Sequence, residues 1–315
     1  MPFLRFIPET TNVDFVGLRY YAFAVDGLLL LIAIVSIAWQ GFNLGIDFTG
    51  GAMIEAKAPW TMDSSRTQEI RTTVGTLNYG DLTVQNFSGG ECDHPASSCV
   101  EIRVQPNARL SGQAQAEAIK AKLGAAYKIR SVQVVGPKVS QELFSAGVWA
   151  TILAIICIAG YVAVRFEWQY GVGALIATGH DVLVTAGMYS VLHLDFSLKS
   201  VAALLLLAGY SINDTVVVFD RIRENRRKYK RMSLPDLINL STNHIATRTT
   251  LVSVATALSI IPLFIYGGAA LFDFSAAILF GIVVGTFSST YVAAALLLYL
   301  PPVGGGGTAL EEKTA

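Results

Sequence analysis

Charge is scarce in this 315-residue sequence, and its scarcity excludes most soluble folds. Charged residues make up 15% of the chain and hydrophobic residues 53%, with a mean hydropathy of +0.51. A soluble domain usually has about a quarter of its residues charged, so this composition indicates a polytopic membrane protein. The 23 basic and 23 acidic residues cancel, and without a basic excess no nucleic acid is expected as a partner.

The sequence also lacks enzymatic signatures and contains few cysteines. The sequence has no glycine-rich nucleotide-binding loop, so ATP is not expected to be a direct energy source, and no catalytic triad, metal site or cofactor site is predicted. Of the three cysteines, Cys157 lies in a hydrophobic run and is expected to pack there. Cys92 and Cys99 lie in a polar region and can pair if that region faces an oxidising compartment, but their spacing alone leaves the pairing open.

Six hydrophobic runs are long enough to cross the ~30 Å hydrocarbon core of a bilayer. They predict spans at residues 20–39, 144–164, 170–194, 198–220, 246–266 and 274–300. A cleaved signal peptide is an alternative interpretation of the first run. The run is longer than a typical signal h-region and no small-x-small cleavage site follows Trp39, so an uncleaved signal anchor is favoured. Asp26, near the start of this run, is expected at a solvated helix end.

Residues 40–142, between the first two spans, form a domain of their own. Alternating hydrophobicity predicts strands at 52–58, 82–87, 99–104 and 129–135, and helical patterns predict helices at 62–77 and 111–127. This order is typical of a ferredoxin-like α+β fold, which declares no function. The predicted fold class is an α-helical polytopic membrane protein, with six transmembrane helices and an extracytoplasmic ferredoxin-like domain between the first and second.

The distribution of basic residues predicts the orientation of the chain. Seven Lys and Arg residues lie between positions 221 and 231, whereas residues 267–273 contain none. The termini, 1–19 and 301–315, and a basic loop at 221–245 are therefore expected to be cytoplasmic, with 40–142 outside. The basic run is expected to contact anionic lipid or a docking partner, and residues 233–243 are predicted to form a short amphipathic helix in the interface.

Polar residues within the spans are the candidate functional residues, because a carboxylate at the centre of a membrane helix costs about 2.5–3.5 kcal/mol on insertion scales. Asp214 lies beside Asn213 in the fourth span and shares a helix face with Ser211. Arg248, near the start of the fifth span, is expected at a comparable depth. An Asp214–Arg248 ion pair that protonation would break is therefore predicted, and snorkelling of Arg248 to the headgroups is the alternative.

The third span carries a second pair of polar residues, His180 and Asp181, at about mid-depth. A histidine beside a carboxylate can pass a proton. Adjacent positions on a helix point about 100° apart, so the two side chains need not act together. Structural hydrogen bonding to a neighbouring helix explains them equally well.

Three segments resemble the signatures of the SecF family, membrane subunits of the bacterial protein-export machinery that belong with the resistance-nodulation-division transporters. The segments are GFNLGIDFTGG at 41–51, GHDVLVT at 179–185 and AGYSINDTVVVFDRIREN at 208–225. The resemblance covers most of residues 20–300. Residues 89–99, which contain Cys92 and Cys99, are not part of the recognised pattern and are given no function.

The resemblance implies a subunit of the bacterial inner (plasma) membrane that is not an enzyme. It would pair with SecD in a bundle of twelve helices, act on preproteins with the SecYEG channel, and associate with YajC. The proton gradient, rather than a bound cofactor, would drive export. By position, Asp214 would be the proton-site carboxylate and Arg248 its basic partner. Apart from the resemblance, Asn213, Ser211, His180 and Asp181 are candidates for relay or polar support because they lie beside or near Asp214 within the spans.

Two other functions stay open at this level. One is a self-sufficient proton-coupled small-molecule exporter of the same superfamily, which a drug-sensitivity phenotype without an export defect would favour. The other is an intramembrane aspartyl protease that uses Asp181 and Asp214 as a proton-sharing dyad. Against the protease, Asp214 follows Ser-Ile-Asn rather than the expected glycine-x-glycine.

Overall fold

The computed structural model describes residues 11–87, 92, 98–107 and 110–301. Of the predicted N-terminal segment 1–19, the part from residue 11 onward is included, whereas the predicted tail 301–315 lies outside the described residues after position 301. The described residues form two parts. A bundle of long helices carries a small α+β domain at one end, and we call this end the domain end and the opposite one the basic end.

The elements follow one another with short connections. In chain order they are α1 (Arg19–Gln40), β1 (Asn43–Leu44), α2 (Ile46–Thr49), β2 (Gly51–Ala58), α3 (Ser64–Gly75), β3 (Leu82–Phe87), β4 (Ser98–Val104), α4 (Gly112–Leu123), β5 (Lys128–Val135), α5 (Pro137–Arg165), α6 (Trp168–Val191), β6 (Asp195–Phe196), α7 (Leu198–Lys228), α8 (Leu234–Tyr266), α9 (Ala269–Ser288), a π-helix (Ser289–Ala293) and α10 (Ala294–Leu296).

Six helical segments of the described chain are long and apolar enough to cross a membrane, which confirms the predicted number of spans. They are α1, α5, α6, α7, α8 and the run from Leu271 to Leu296. Burial divides them into two groups. In α6, α7 and the last run, 44–67% of the most apolar window is buried, against 11–17% in α1, α5 and α8. The centre of the bundle is therefore formed by α6, α7 and α9, and the other three helices cover it.

The α+β domain has the predicted ferredoxin-like topology. Its four strands pair in the order β3-β4-β2-β5, and every pairing is antiparallel. Side chains of β2 and β4 at matched positions, such as Ile54 and Ile102, form a core with Ile119 of α4. Ser111 caps α4, because its hydroxyl accepts a hydrogen bond from the backbone N–H of Ala114.

Two of the three cysteines are paired, and the third, Cys157, is not packed as expected. Cys92 and Cys99 form a disulfide bond, and the Arg130 guanidinium donates hydrogen bonds to both sulfurs, at 2.9 and 3.5 Å. Cys157 is free and exposed on α5, so the prediction that it packs within the chain is wrong. The hydrophobic run around it reflects an outer bundle face, because apolar residues on a peripheral membrane helix need not touch other protein.

Two predictions about the basic end are also wrong. The basic segment is not a loop, since α7 continues to Lys228, and the amphipathic segment is not a separate helix, since α8 runs unbroken from Leu234 to Tyr266. Basic side chains in the last turn of α7 favour its extension through the helix dipole. Leu237 and Ile238 are buried against α7, so the apolar face of this segment packs on protein rather than in the lipid interface.

Two glycines join α2 to the first strand of the domain sheet. Gly50 and Gly51 have φ values of +75° and +116°, which side chains rarely adopt. Space is also lacking, because a Cβ atom at Gly51 would lie 2.1 Å from the carbonyl oxygen of Val104. The glycine pair therefore lets β2 enter the sheet directly beside β4.

Replacing Gly51 should destabilise the domain more than replacing another glycine does. Gly51→Ala combines backbone strain with a clash against the β4 backbone, so we expect a loss of roughly 2–4 kcal/mol in unfolding free energy. Gly75→Ala is the matched control, because a Cβ atom added at Gly75 would meet no other atom within 4 Å. Thermal unfolding of both variants in detergent, followed by circular dichroism, measures the difference; equal midpoints would contradict the expectation.

Candidate functional site

Asp214 lies where three helical segments meet: α7, which carries it, α8 and the π-helix. Its side chain on α7 is 9% exposed, and Ser289 donates a hydrogen bond of 2.8 Å from its hydroxyl to Asp214 Oδ2. Thr249 of α8 lies next to the same carboxylate, and its buried hydroxyl has no hydrogen-bond partner within the described ranges. The site therefore holds a carboxylate between two hydroxyl groups from different helices.

Ser289 reaches Asp214 from an irregular turn of the sixth span. The α-helical pattern ends at Ser288, and Ser289–Ala293 forms a π-helix before α10 resumes. Isolated π-turns inside α-helices recur at functional sites. Ser289 is fully buried. Hydrophobic periodicity predicted one continuous span at 274–300, and the run of hydroxyl residues at 288–290 was the only sequence signal that marked this turn.

Arg248 does not pair with Asp214 in the part of the chain that the structure describes, so the predicted contact is wrong for this conformation. Arg248 is exposed and lines a cavity of about 700 Å³ at the basic end, where its neighbours include Asp220 and Arg221. The physical reason is helix rotation. Positions 248 and 249 point about 100° apart, and Thr249 is the one that faces Asp214. Similar depth in the membrane is not sufficient for contact.

Asn213 and Ser211 separate in the same way. Asn213 is exposed and takes no part in the buried site. Ser211 is fully buried one turn before Asp214 and donates a 2.5 Å hydrogen bond to Asp181 Oδ2. Ser211 and Asp214 of α7 thus contact two different partners, Asp181 on α6 and Ser289 on the π-helix.

The side chains of His180 and Asp181 contact each other despite their adjacent positions on α6. His180 Nδ1 lies 3.0 Å from Asp181 Oδ1, and the Asp181 side chain is completely buried. Both oxygens of the Asp181 carboxyl group therefore have a hydrogen-bonding partner, His180 at Oδ1 and Ser211 at Oδ2. Gly285 of α9 runs close by, because a Cβ atom there would lie 3.5 Å from Asp181 Oδ2. The pair forms a second polar cluster near the middle of the bundle.

Asp26 is buried, and the prediction that it lies at a solvated helix end is wrong. Its side chain is 4% exposed, and it shares the buried face of α1 with Ala22, Ala33 and Ser36. These spacings place the four residues on one stripe, which packs on α6. The small residues of this stripe were the sequence signal that Asp26 faces protein.

A third polar group joins the domain to the helix bundle, and we call it the clasp: Asn43, Arg103, Asp195 and Asp273. Arg103 of β4 forms a salt bridge with Asp195 of β6, and Asn43 donates a 2.6 Å hydrogen bond to Asp195 Oδ1. The backbone N–H of Asp195 donates to Asp273 Oδ2 at 3.1 Å. The parallel pairing of β1 with β6 lies in the same place.

Acidic residues of the domain sheet surround the clasp. Arg103 also contacts Glu101 Oε1 at 2.5 Å. A small cavity lies beside the clasp, and Glu55 and Glu101 both line it. Burial, followed by the charge of Glu101, raises the pKa of Glu55 above the ordinary glutamate value. The sequence does not predict the clasp, because its residues come from four distant segments and none of them belongs to a recognisable local pattern.

Two known families match parts of this chain. A family described as "Protein export membrane protein SecD/SecF, C-terminal" matches residues 115–302, and one described as "SecD/SecF GG Motif" matches residues 35–58. The second range contains Gly50 and Gly51, and the first contains Asp214 and the His180–Asp181 pair.

Individual relatives agree with these families. The protein translocase subunit SecF of Rickettsia typhi is 36% identical over 93% of this chain and 94% of its own length. The SecF subunit of Rhodobacter capsulatus is 38% identical over 94% of this chain and 91% of its own.

Two solved structures have the same fold. The crystal structure of SecDF, a translocon-associated membrane protein from Thermus thermophilus, matches 93% of this chain with a TM-score of 0.82 and 33% identity. A SecDF structure in a super-membrane-facing form matches 92% with a TM-score of 0.66 and 34% identity. This chain spans 39% of the length of each SecDF chain.

Removing the Ser289 hydroxyl should destabilise the bundle at Asp214. Ser289→Ala leaves a buried carboxyl group without its donor, so we expect a loss of about 1–3 kcal/mol in unfolding free energy. Ser259→Ala is the control, because the Ser259 hydroxyl only bonds the carbonyl of Thr256 in its own helix, on an exposed face. Chemical unfolding in mixed micelles measures both variants, and an equal effect would argue against a specific Asp214–Ser289 contact.

Breaking the clasp should loosen the domain without unfolding it. Arg103→Gln removes the cation that neutralises Asp195, and a contribution of about 2 kcal/mol implies roughly 30-fold faster hydrogen exchange in β1 and β6. Lys120→Gln is the control, since it removes an exposed ion pair with Glu117 on α4. Exchange measured by mass spectrometry in detergent separates the cases; unchanged protection in Arg103→Gln would mean that the clasp does not hold the domain.

Proposed function

Because the chain belongs to the SecF family of protein translocase subunits, we propose that it uses the proton gradient, through Asp214, to drive late stages of preprotein export. The observation that carries this proposal is the buried site between α7, α8 and the π-helix. Asp214 receives a hydrogen bond from Ser289, and no cation pairs with it among the described residues. A buried carboxyl group without a counter-ion favours its protonated form.

The proposed orientation places the basic end in the bacterial cytoplasm and the domain outside the inner membrane. Basic residues cluster where α7 ends and α8 begins, and such clusters remain on the cytoplasmic side of membrane proteins. The Cys92–Cys99 disulfide of the domain fits an oxidising extracytoplasmic compartment. Both termini would then be cytoplasmic.

The proposed partners are SecD, the SecYEG channel and the translocating preprotein. This chain corresponds to 39% of a SecDF chain whose description names it translocon-associated, so SecD would supply the remaining part of such an assembly. The outer helices leave room for such a partner, because α8 exposes Leu251, Val252 and Val254. YajC is included on the strength of the family resemblance alone.

Two arrangements of α8 would make Asp214 a switch. In the arrangement described above, Thr249 faces Asp214, which would be protonated in this state, and Arg248 lies one position away in the basic-end cavity. Loss of the proton creates a charge that Arg248 would neutralise if α8 turned by the ~100° that separates neighbouring positions. One charge crossing 100 mV supplies ~2.3 kcal/mol, which biases such an equilibrium roughly 50-fold.

The clasp gives this switch a connection to the outer domain. Helix α7 begins at Leu198, whose backbone N–H donates a 3.0 Å hydrogen bond to Asp47 of α2, and α9 carries Asp273 of the clasp near its start. Asp214 therefore lies at the contact between α7 and the span that begins with α9. Both of these helices hold the domain at their domain ends. A change in the spacing of these helices would be felt at the domain and at any preprotein bound there.

The other functions are not favoured. Asp181 contacts His180 and Ser211, whereas Asp214 contacts Ser289, so the two carboxyl groups have separate partners and do not form the proton-sharing dyad of an aspartyl protease. No specific observation supports a self-sufficient small-molecule exporter.

Neutralising Asp214 should abolish the response to the proton gradient. In inverted vesicles containing this chain, SecD and SecYEG, we expect Asp214→Asn to lose proton-gradient stimulation of preprotein completion, because the amide cannot exchange a proton. The preceding ATP-dependent step should continue. Asp220→Asn is the control, since Asp220 is an exposed carboxylate on the same helix. Normal stimulation in a fully assembled Asp214→Asn complex would disprove the proposed coupling.

A further inference from the structure

Asp26 is an acidic residue that neither the SecF assignment nor the Asp214 switch explains. Both carboxyl oxygens are buried and have no hydrogen-bond partner within the described part of the chain. An ionised carboxylate without partners in a membrane helix costs several kcal/mol. A residue placed this way is either held neutral or charged only transiently.

The groups that face Asp26 come from one neighbouring helix. Its electrostatic neighbours are His180 and Asp181 of α6, and His180 Nε2 lies 3.4 Å from the Asp26 carbonyl oxygen. The π-helix, which also packs on α1, contributes Tyr291 as its titratable residue, and that ring packs against Phe15 instead. Asp26, His180 and Asp181 thus form one titratable cluster across α1 and α6.

Hydrogen bonding decides where the protons of this cluster reside. Both oxygens of Asp181 have hydrogen-bonding partners, since Ser211 donates to Oδ2 and His180 Nδ1 lies 3.0 Å from Oδ1. Asp26 receives no comparable donor among the described residues. We therefore expect Asp26 to be the carboxyl group of this cluster that holds a proton, and His180, whose Nε2 lies 3.4 Å from the Asp26 carbonyl oxygen, is the base that faces residue 26.

We propose that Asp26 is a second proton-exchanging carboxyl group, coupled through the His180–Asp181 pair to the helix that carries Asp214. In the exchange step, the neutral Asp26 carboxyl gives its proton to neutral His180. The products are a carboxylate and an imidazolium, so the net charge of the cluster is unchanged, and Asp181 stabilises the imidazolium. Ser211, bonded to Asp181, lies one turn from Asp214 on α7. This inference rests on the proposed function of Asp214.

Infrared difference spectroscopy tests the proton exchange directly. The full chain, reconstituted with SecD in proteoliposomes, is titrated from about pH 5 to about pH 9. We expect a protonated-carboxyl band that loses one component in Asp26→Asn and a different component in Asp214→Asn. The component from Asp26 should titrate at a different pH in Asp214→Asn than in the wild type. Asp220→Asn should leave the band unchanged.

Preprotein export in inverted vesicles tests the coupling. We expect Asp26→Asn to reduce proton-gradient stimulation at least roughly fivefold, the lower range of allosteric coupling, while the ATP-dependent step continues. A wild-type export rate in Asp26→Asn would overturn the coupling. An Asp26→Asn carboxyl spectrum identical to that of the wild type would overturn the proton exchange.

Assembly defects and failure of the Asp214 switch give different results. If Asp26→Asn does not assemble with SecD, His180→Gln replaces it, and an unchanged titration of the Asp26 component in that variant would overturn the proposal. If Asp214→Asn keeps normal stimulation, the proposed function fails. The infrared titration of Asp26 in the wild type still decides whether this residue exchanges a proton.

Discussion

A carboxyl group inside a bilayer has no water to solvate it, and that constraint shapes this helix bundle. Asp26, Asp181 and Asp214 are buried on three different helices, so the helices must approach closely to enclose them. They do so at small residues. A Cβ atom at Gly187 would lie 2.2 Å from that of Ala33, which brings α1 against α6. Packing of this kind, rather than a hydrophobic driving force, holds membrane helices together, and here it also encloses the acidic groups.

The buried polar groups and the outer domain depend on the same helices. The central helices α6, α7 and α9 carry most of the inward-facing polar residues, and the β6 connection between α6 and α7 supplies Asp195 to the clasp. The outer helices α1, α5 and α8 present mostly apolar surfaces. A subunit built in this way separates its tasks: the centre holds charge, one end holds the domain, and the periphery is left for lipid and partner chains.

Local sequence patterns predicted most of the architecture, because composition, periodicity and capping act over a few residues. The six spans and the ferredoxin-like domain follow from such patterns. Helix rotation does not, since depth along a helix says nothing about which side faces a neighbour. This is why Arg248 was predicted as the partner of Asp214 although Thr249 occupies that position, and why the burial of Asp26 was missed. The clasp around Arg103 was also missed, because contacts between distant segments leave no local trace.

The π-helix in the sixth span adds one residue to a turn, and that extra residue behaves as a dislocation in an otherwise regular helix. Residues after Ala293 are about 100° out of phase with those before Ser289. The sixth span therefore presents one set of faces to its neighbours before the π-helix and another set after it. A dislocation can travel along a helix by exchanging one backbone hydrogen bond at a time, without unwinding the span. If it moved by a single residue, the Ser289 hydroxyl would leave Asp214 while both ends of the helix stayed in place. The helix can therefore change what it offers to a buried acid without changing its length.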